Sequence, residues 1–189
     1  MSPATTRSRR RPSPAPARAL TLDIVHEAGD WNAIVGLEAA IETAAAALAK
    51  LPQLSGLPAA GGAACILLND DAGVRALNAT WRKKDKPTNV LSFPAAAPPP
   101  GADPGGDAVF LGDIVLAAET LAREAADEDV PLTHHLQHLV IHGLLHLMGH
   151  DHETEAEAET MEALEIAALA AIGVANPYDD RELAPDDGH

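Results

Sequence analysis

Histidines are concentrated in one short segment of this chain. Of its nine histidines, seven lie between positions 134 and 152. Four of them recur every four residues: His138, His142, His146 and His150. Residues four apart share one face of an α-helix, so two such imidazoles can bind the same metal ion with little backbone adjustment. The spacing therefore predicts a metal site carried by a helix.

A glycine and a further histidine complete the pattern. Gly149 tolerates the left-handed backbone that ends many helices, so the chain can turn there and bring His152 back toward the helix. The result is H-x-x-x-H-x-x-G-x-x-H, with His142, His146 and His152 as the predicted ligands. Metzincin proteases place the ligands of catalytic zinc at this spacing. Three imidazoles leave one zinc position open, where water is acidified to a pKa of ~7, so we predict one catalytic zinc ion per chain.

Two neighbouring histidines leave the ligand set open. His138 stands four residues before His142 and can compete with the three ligands for the ion. His150 follows Gly149, which interrupts the helical face before it. We favour a supporting position behind the ligands for His150, while a direct contact with the metal stays open.

The residue after the first ligand separates two classes of hydrolase. Zinc proteases of the H-E-x-x-H type carry a glutamate there as the general base. In this chain the position is Gly143, which has no side chain. Peptide hydrolysis would lack its usual proton acceptor. Cleavage of a phosphodiester, which depends more on stabilising charge, would suffer less.

Positive charge is also concentrated. The formal net charge of −15 argues against general nucleic-acid binding. Four cations nevertheless fall within five positions: Arg82, Lys83, Lys84 and Lys86. Such a cluster can hold a phosphate, although cations at the end of a helix also offset the helix dipole. Both interpretations stay open on charge alone.

Four segments together resemble the YbeY family of bacterial endoribonucleases. The first is the histidine segment 142–152, and the second is Leu77-Asn78 followed by WRKKDKPTNVLSFP at 81–94. The others are Leu111-Gly-Asp-Ile-Val115 and an acidic helix carrying Met161, Glu165 and the closing Gly173. They follow one another in the family's order between residues 64 and 178.

This resemblance implies a zincin-like α+β fold and cleavage of single-stranded RNA. It implies ribosomal RNA and the small ribosomal subunit as partners, in maturation of the small-subunit RNA 3′ end and in ribosome quality control. Ribosomal proteins or a ribosome-assembly GTPase are further candidate partners. The family's zinc ligands correspond to His142, His146 and His152, and its functionally important arginine corresponds to Arg82. The family commonly has tyrosine where this chain has His150, which leaves the role of that position open.

Arg82 is the predicted catalytic residue. Its planar guanidinium is suited to neutralising charge that develops on phosphate oxygens. Lys84 and Lys86 either guide the RNA backbone or are ordinary surface lysines.

Three aspartates are further candidates. Asp85 and Asp151 can orient ligands through hydrogen bonds. Asp85 can equally cap the turn before Pro87. Asp113 either faces the site or belongs to a turn at the end of a strand.

The hydrophobic pattern predicts an α+β fold in which helices pack on a small mixed β-sheet, with the metal site at the end of a long helix. A helix over 71–84 is predicted to be capped by Asn69 or Asp70 and stopped by Pro87. The other predicted helices are 35–51, 117–128, 131–149 and 155–172, and the predicted strands are 20–25, 64–68, 89–93 and 109–116. We predict a disordered basic arm at 1–18, a single domain at 19–178 and a flexible acidic tail at 179–189.

The remaining features bear on location and on alternative functions. No apolar run reaches the ~18 to 20 residues of a membrane span. A single cysteine, Cys65, predicts a buried free thiol and a reducing, cytoplasmic setting. Two alternatives stay open: a zinc metalloprotease-like hydrolase, and a non-catalytic, zinc-stabilised factor that binds ribosomes.

Overall fold

Four strands form one mixed sheet in the computed structural model, which describes residues 19–96 and 108–179. In chain order they are β1 (Leu20–His26), β2 (Gly62–Asn69), β3 (Val90–Pro94) and β4 (Val109–Ala117). Their spatial order is β1-β2-β4-β3. β2 pairs in parallel with β1 and β4, and β3 pairs antiparallel with β4 at one edge. The α+β class with a small mixed sheet is thus confirmed.

Five helices cover the two faces of this sheet. They are α1 (Leu37–Ala49), α2 (Asp71–Arg82), α3 (Ala118–Asp127), α4 (Leu132–Leu147) and α5 (Glu155–Ala170). α4 lies at the centre of the larger core, in contact with α1, α3, α5, β3 and β4. α2 covers part of the opposite face, where Val74 packs against Leu91 and Val115. The helix that carries the histidines is therefore held from several sides.

The observed ends of α2 refine the prediction. At its beginning the carboxylate of Asp70 accepts a hydrogen bond from the Gly73 amide (2.7 Å), which confirms the predicted cap. At its end the helix stops at Arg82, before the predicted end near Lys84, because Lys83 adopts a left-handed backbone (φ 59°). Pro87 follows after the helix has ended. The four clustered cations thus lie at the last residue of α2 and in the turn after it.

Some predicted segments lie outside the described residues. They are the arm at 1–18, most of a proline- and glycine-rich loop predicted at 95–106, and residues 180–189 of the tail. Within the described ranges, no helix combines the length and the apolar character that a bilayer span requires.

The start of α5 provides a test of the fold. Thr154 Oγ1 accepts a hydrogen bond from the Glu157 amide (3.3 Å), and the Glu157 carboxylate accepts one from the Thr154 amide (3.0 Å). This capping box satisfies two amides that the helix leaves unpaired. We expect Thr154→Ala to lower the free energy of unfolding by about 1 kcal/mol, measured by denaturant titration.

Thr160→Ala is the matched control, because the Thr160 hydroxyl donates only to the Ala156 carbonyl inside the same helix. It should leave the stability nearly unchanged. An equal loss in the two variants would show that the cap contributes nothing.

Candidate metal centre

Three imidazoles converge where α4 ends. One ring nitrogen from each of His142, His146 and His152 lies within 4.8 Å of the other two. The Nε2 atoms of His142 and His146 are 3.1 Å apart. Tetrahedral zinc with Zn–N bonds of ~2.0–2.1 Å separates its ligand nitrogens by about 3.3 Å, so this donor set fits zinc. His152 is exposed, and the other two are half-buried, which leaves the centre open to a large substrate.

The turn that delivers His152 has the predicted geometry. Gly149 adopts a left-handed backbone with φ of 84°. Its amide donates to the His146 carbonyl, and the His150 amide donates to the Leu145 carbonyl, both at 3.0 Å. These two bonds form a Schellman motif, which ends α4 and reverses the chain. The Asp151 carboxylate then accepts from the His152 amide (2.8 Å), which supports the turn, and its negative charge also acts on the imidazole of His146.

A buried carboxylate contacts the first predicted ligand. Glu165 of α5 is 1% exposed, and its Oε1 lies 2.8 Å from Nδ1 of His142. Burial by itself raises the pKa of Glu165, but hydrogen bonds from His138, His142 and Tyr178 outweigh it and lower the pKa to about 2. An ionised carboxylate only accepts hydrogen bonds, so a hydrogen bond between these two residues requires a proton on Nδ1 of His142. Its Nε2 atom faces His146.

The pKa of the second predicted ligand, His146, is lowered by its surroundings. Burial lowers the pKa of His146 below its ordinary value, and the neighbouring His142 and His152 lower it further. A neutral imidazole has the free lone pair that coordination requires. The lowered pKa favours the neutral form of His146.

The structure separates the other histidines from the ligand set. Nε2 of His138 lies 2.8 Å from Oε2 of Glu165, which directs that ring to the carboxylate. Nε2 of His150 lies 3.3 Å from the carbonyl of Ser55. Neither residue belongs to a metal-binding group among the described residues. His138 and His150, which the sequence left open as further metal ligands, thus contact Glu165 and Ser55 instead.

Two of the candidate aspartates require correction. Asp85 is paired with Arg75 through two hydrogen bonds (2.6 and 2.9 Å), so it does not orient a histidine. Asp113 lies within β4, where side chains alternate between the two faces of the sheet. Ile114 packs toward α4, and Asp113 is therefore on the opposite, exposed face.

Gly143 faces the sheet and not the metal ligands. A Cβ atom at this position would lie 2.9 Å from Cδ1 of Ile114, which is fully buried. The Ser92 hydroxyl also lies 3.4 Å from the Gly143 carbonyl. A glutamate could not serve as a general base from this position, because the strands already occupy the space beside it.

Arg82 is exposed at the last position of α2. The cavity of about 500 Å³ beside His142 and His152 is lined by other residues, including Glu124, Glu128 and Glu162. No described contact joins the Arg82 side chain to the three histidines, so its catalytic role stays a prediction.

Comparison with known proteins places these residues in a family. The family model described as Endoribonuclease YbeY matches residues 34–173. The chain belongs to the YbeY family. An Endoribonuclease YbeY of Rhodopseudomonas palustris (strain BisA53) is 57% identical over 122 residues, which cover 65% of this chain and 70% of that protein. The Endoribonuclease YbeY of Nitrobacter winogradskyi is 49% identical over 156 residues, which cover 82% and 80%.

The solution structure of TM1509 from Thermotoga maritima is also similar, with 19% identity and a TM-score of 0.47, over 89% of this chain and 99% of that chain. The YbeY match contains all five helices, three of the four strands, the histidine cluster and Arg82. Glu165 lies inside the same range. The sequence marks it only as part of the acidic helix, because a contact between residues 23 positions apart on two helices leaves no local pattern.

The first test of this centre is its metal content. We expect the protein to bind about one zinc ion per chain, and His142→Ala/His146→Ala to lose nearly all of it, because one remaining imidazole cannot form the site. Elemental analysis after dialysis measures the content. His26→Ala, on the exposed end of β1, is the control and should keep full occupancy. Full occupancy in the double variant would contradict the assignment.

The second test concerns Gly143. We expect Gly143→Ala to lower the free energy of unfolding by about 1–3 kcal/mol, because the added methyl group overpacks the contact with Ile114. Ile114→Val removes the Cδ1 atom that the methyl would meet. The double variant should therefore lose less than the sum of the two single losses, as measured by denaturant titration. Additive losses would show that Cδ1 of Ile114 is not the atom that limits the space at position 143.

Proposed function

We propose that this chain is a zinc-dependent endoribonuclease that cleaves single-stranded RNA. The observation that carries this proposal is the convergence of three imidazole nitrogens within 4.8 Å in a chain of the YbeY family. Its substrate would be ribosomal RNA of the small subunit, at the 3′ end, in maturation and in ribosome quality control. The small ribosomal subunit, its proteins and a ribosome-assembly GTPase are the proposed partners, in the cytoplasm.

The residues of the centre would have different roles. His142, His146 and His152 would hold the ion, and Glu165 contacts Nδ1 of the first of them. When bound, zinc supplies Lewis acidity that polarises a phosphoryl oxygen and makes water a nucleophile at neutral pH. The exposed face beside His152 leaves room for an RNA strand.

Charge determines which way the RNA backbone approaches. The cavity beside His142 contains the carboxylates of Glu124, Glu128 and Glu162, which repel phosphate. In the described residues, positive charge is concentrated at Arg82, Lys83, Lys84 and Lys86, all of which are exposed. We infer that the backbone is held by this basic turn, with Arg82 against the scissile phosphate.

The metalloprotease alternative is disfavoured by Gly143. A peptide hydrolase of the zincin type needs a base beside its first ligand, and this position packs on Ile114. The non-catalytic alternative needs a fourth protein ligand that closes the site. His138 and His150 are the nearest candidates in sequence, and they contact Glu165 and Ser55 instead.

Arg82 provides the test of the nuclease. If its guanidinium meets the phosphate as charge develops, Arg82→Ala should slow cleavage of single-stranded RNA by on the order of 100-fold. Arg82→Lys should also be impaired, because an ammonium cannot make a two-point contact. Zinc content and circular dichroism, measured on the same samples, should not change.

Lys50→Ala is the charge-matched control, since Lys50 is an exposed cation at the end of α1. It should cleave at nearly the normal rate. Normal cleavage by a folded Arg82→Ala protein would show that Arg82 has no part in the mechanism. The basic turn would then be ordinary protein surface.

A further inference from the structure

Glu165 has an unusual environment for a carboxylate. It is 1% exposed and is the only acidic residue among the buried side chains of the described ranges. Burying a carboxylate is unfavourable unless hydrogen bonds replace its water. Glu165 has three such partners, and they come from two other parts of the chain.

The two carboxylate oxygens have different partners. Oε1 lies 2.8 Å from Nδ1 of His142, a predicted metal ligand. Oε2 lies 2.8 Å from Nε2 of His138, and it also accepts from the hydroxyl of Tyr178. The second pair of contacts fixes the plane of the carboxylate. The contact of Oε1 with Nδ1 then joins the carboxylate to His142, the predicted metal ligand.

From this arrangement we propose that Glu165 is a positioning residue of the metal centre: it locks His142 in the Nδ1–H tautomer with Nε2 directed at the ion, and Tyr178 and His138 hold Glu165 in place. The inference rests on the proposed function only in requiring that the histidines bind a metal. By this proposal, α5 and Tyr178, which follows α5 in the chain, belong to the centre, although neither supplies a metal ligand.

The physical reason is the freedom of an unsupported imidazole. A neutral histidine exchanges its proton between two nitrogens, and its ring turns about the Cβ–Cγ bond. Each alternative removes the Nε2 lone pair from the ion. A carboxylate bound to Nδ1 excludes these alternatives and makes the opposite nitrogen more basic, and losing such a partner typically weakens metal binding.

The first measurement is zinc affinity, by competition with a chromophoric chelator at one neutral pH. We expect Glu165→Gln to bind zinc about 10- to 100-fold more weakly than the unaltered protein. Tyr178→Phe removes one of the two groups that fix Oε2 and should weaken binding by a smaller factor. Glu159→Gln, an identical change at an exposed position of α5, is the control and should bind zinc normally.

The second measurement does not involve zinc. Long-range ¹H–¹⁵N spectra of the metal-free protein report which ring nitrogen of His142 carries the proton. We expect the Nδ1–H form alone in the unaltered protein and a mixture of tautomers in Glu165→Gln. A purely structural role for Glu165 would change the melting temperature and leave the tautomer of His142 as it was.

The outcomes are distinct. Unchanged zinc affinity in a folded Glu165→Gln protein, or a mixture of His142 tautomers in the unaltered protein, would overturn the proposal. If Glu165→Gln does not fold, Tyr178→Phe decides, and normal affinity in that variant would overturn it. A protein that binds zinc in this way but does not cleave RNA would refute the proposed function and leave the role of Glu165 intact.

Discussion

The close approach of α4 to the sheet at Gly143 is the constraint on which the metal centre depends. With no side chain at this position, the helix lies directly against Ile114 of β4. That contact fixes the rotation of α4 about its axis. One face of the helix is committed to the strands, and His142 and His146 are turned toward α5 and the turn after α4. A larger residue at 143 would move all of them together.

Charge is distributed unevenly over the described part of the chain. On the side of α3 and α5 are carboxylates, one of which is buried and bound to His142. The cations of the turn after α2 lie elsewhere on the surface, in a chain whose formal net charge is −15. The carboxylates on the side of α3 and α5 repel a polyanionic substrate. A strongly acidic protein can therefore bind RNA in one place without attracting it everywhere.

Local chemistry explains which features the sequence could predict. Ligands four apart on a helix, a glycine that ends it and Asp70 as a cap all depend on neighbours within a few residues. The capping box of Thr154 and Glu157 is an equally local feature. The partners of Glu165, Asp85 and His150 come from other elements, so only the folded chain brings them together. For the same reason, no pattern in the sequence could place Arg82 relative to the histidines.

The parallel pairing of β2 with β4 has a consequence for the order of folding. Gly62 pairs with Val109, so α2 and β3 must be enclosed in a loop before these strands meet. The three predicted ligands, from His142 to His152, lie close together in the chain, and bringing them together restricts far less of it. An unfolded chain therefore already has these residues near one another, while the alignment that Gly143 and Ile114 set comes only with the sheet. Affinity of the unfolded state for zinc would then make the gain in stability smaller than the affinity of the folded protein alone suggests.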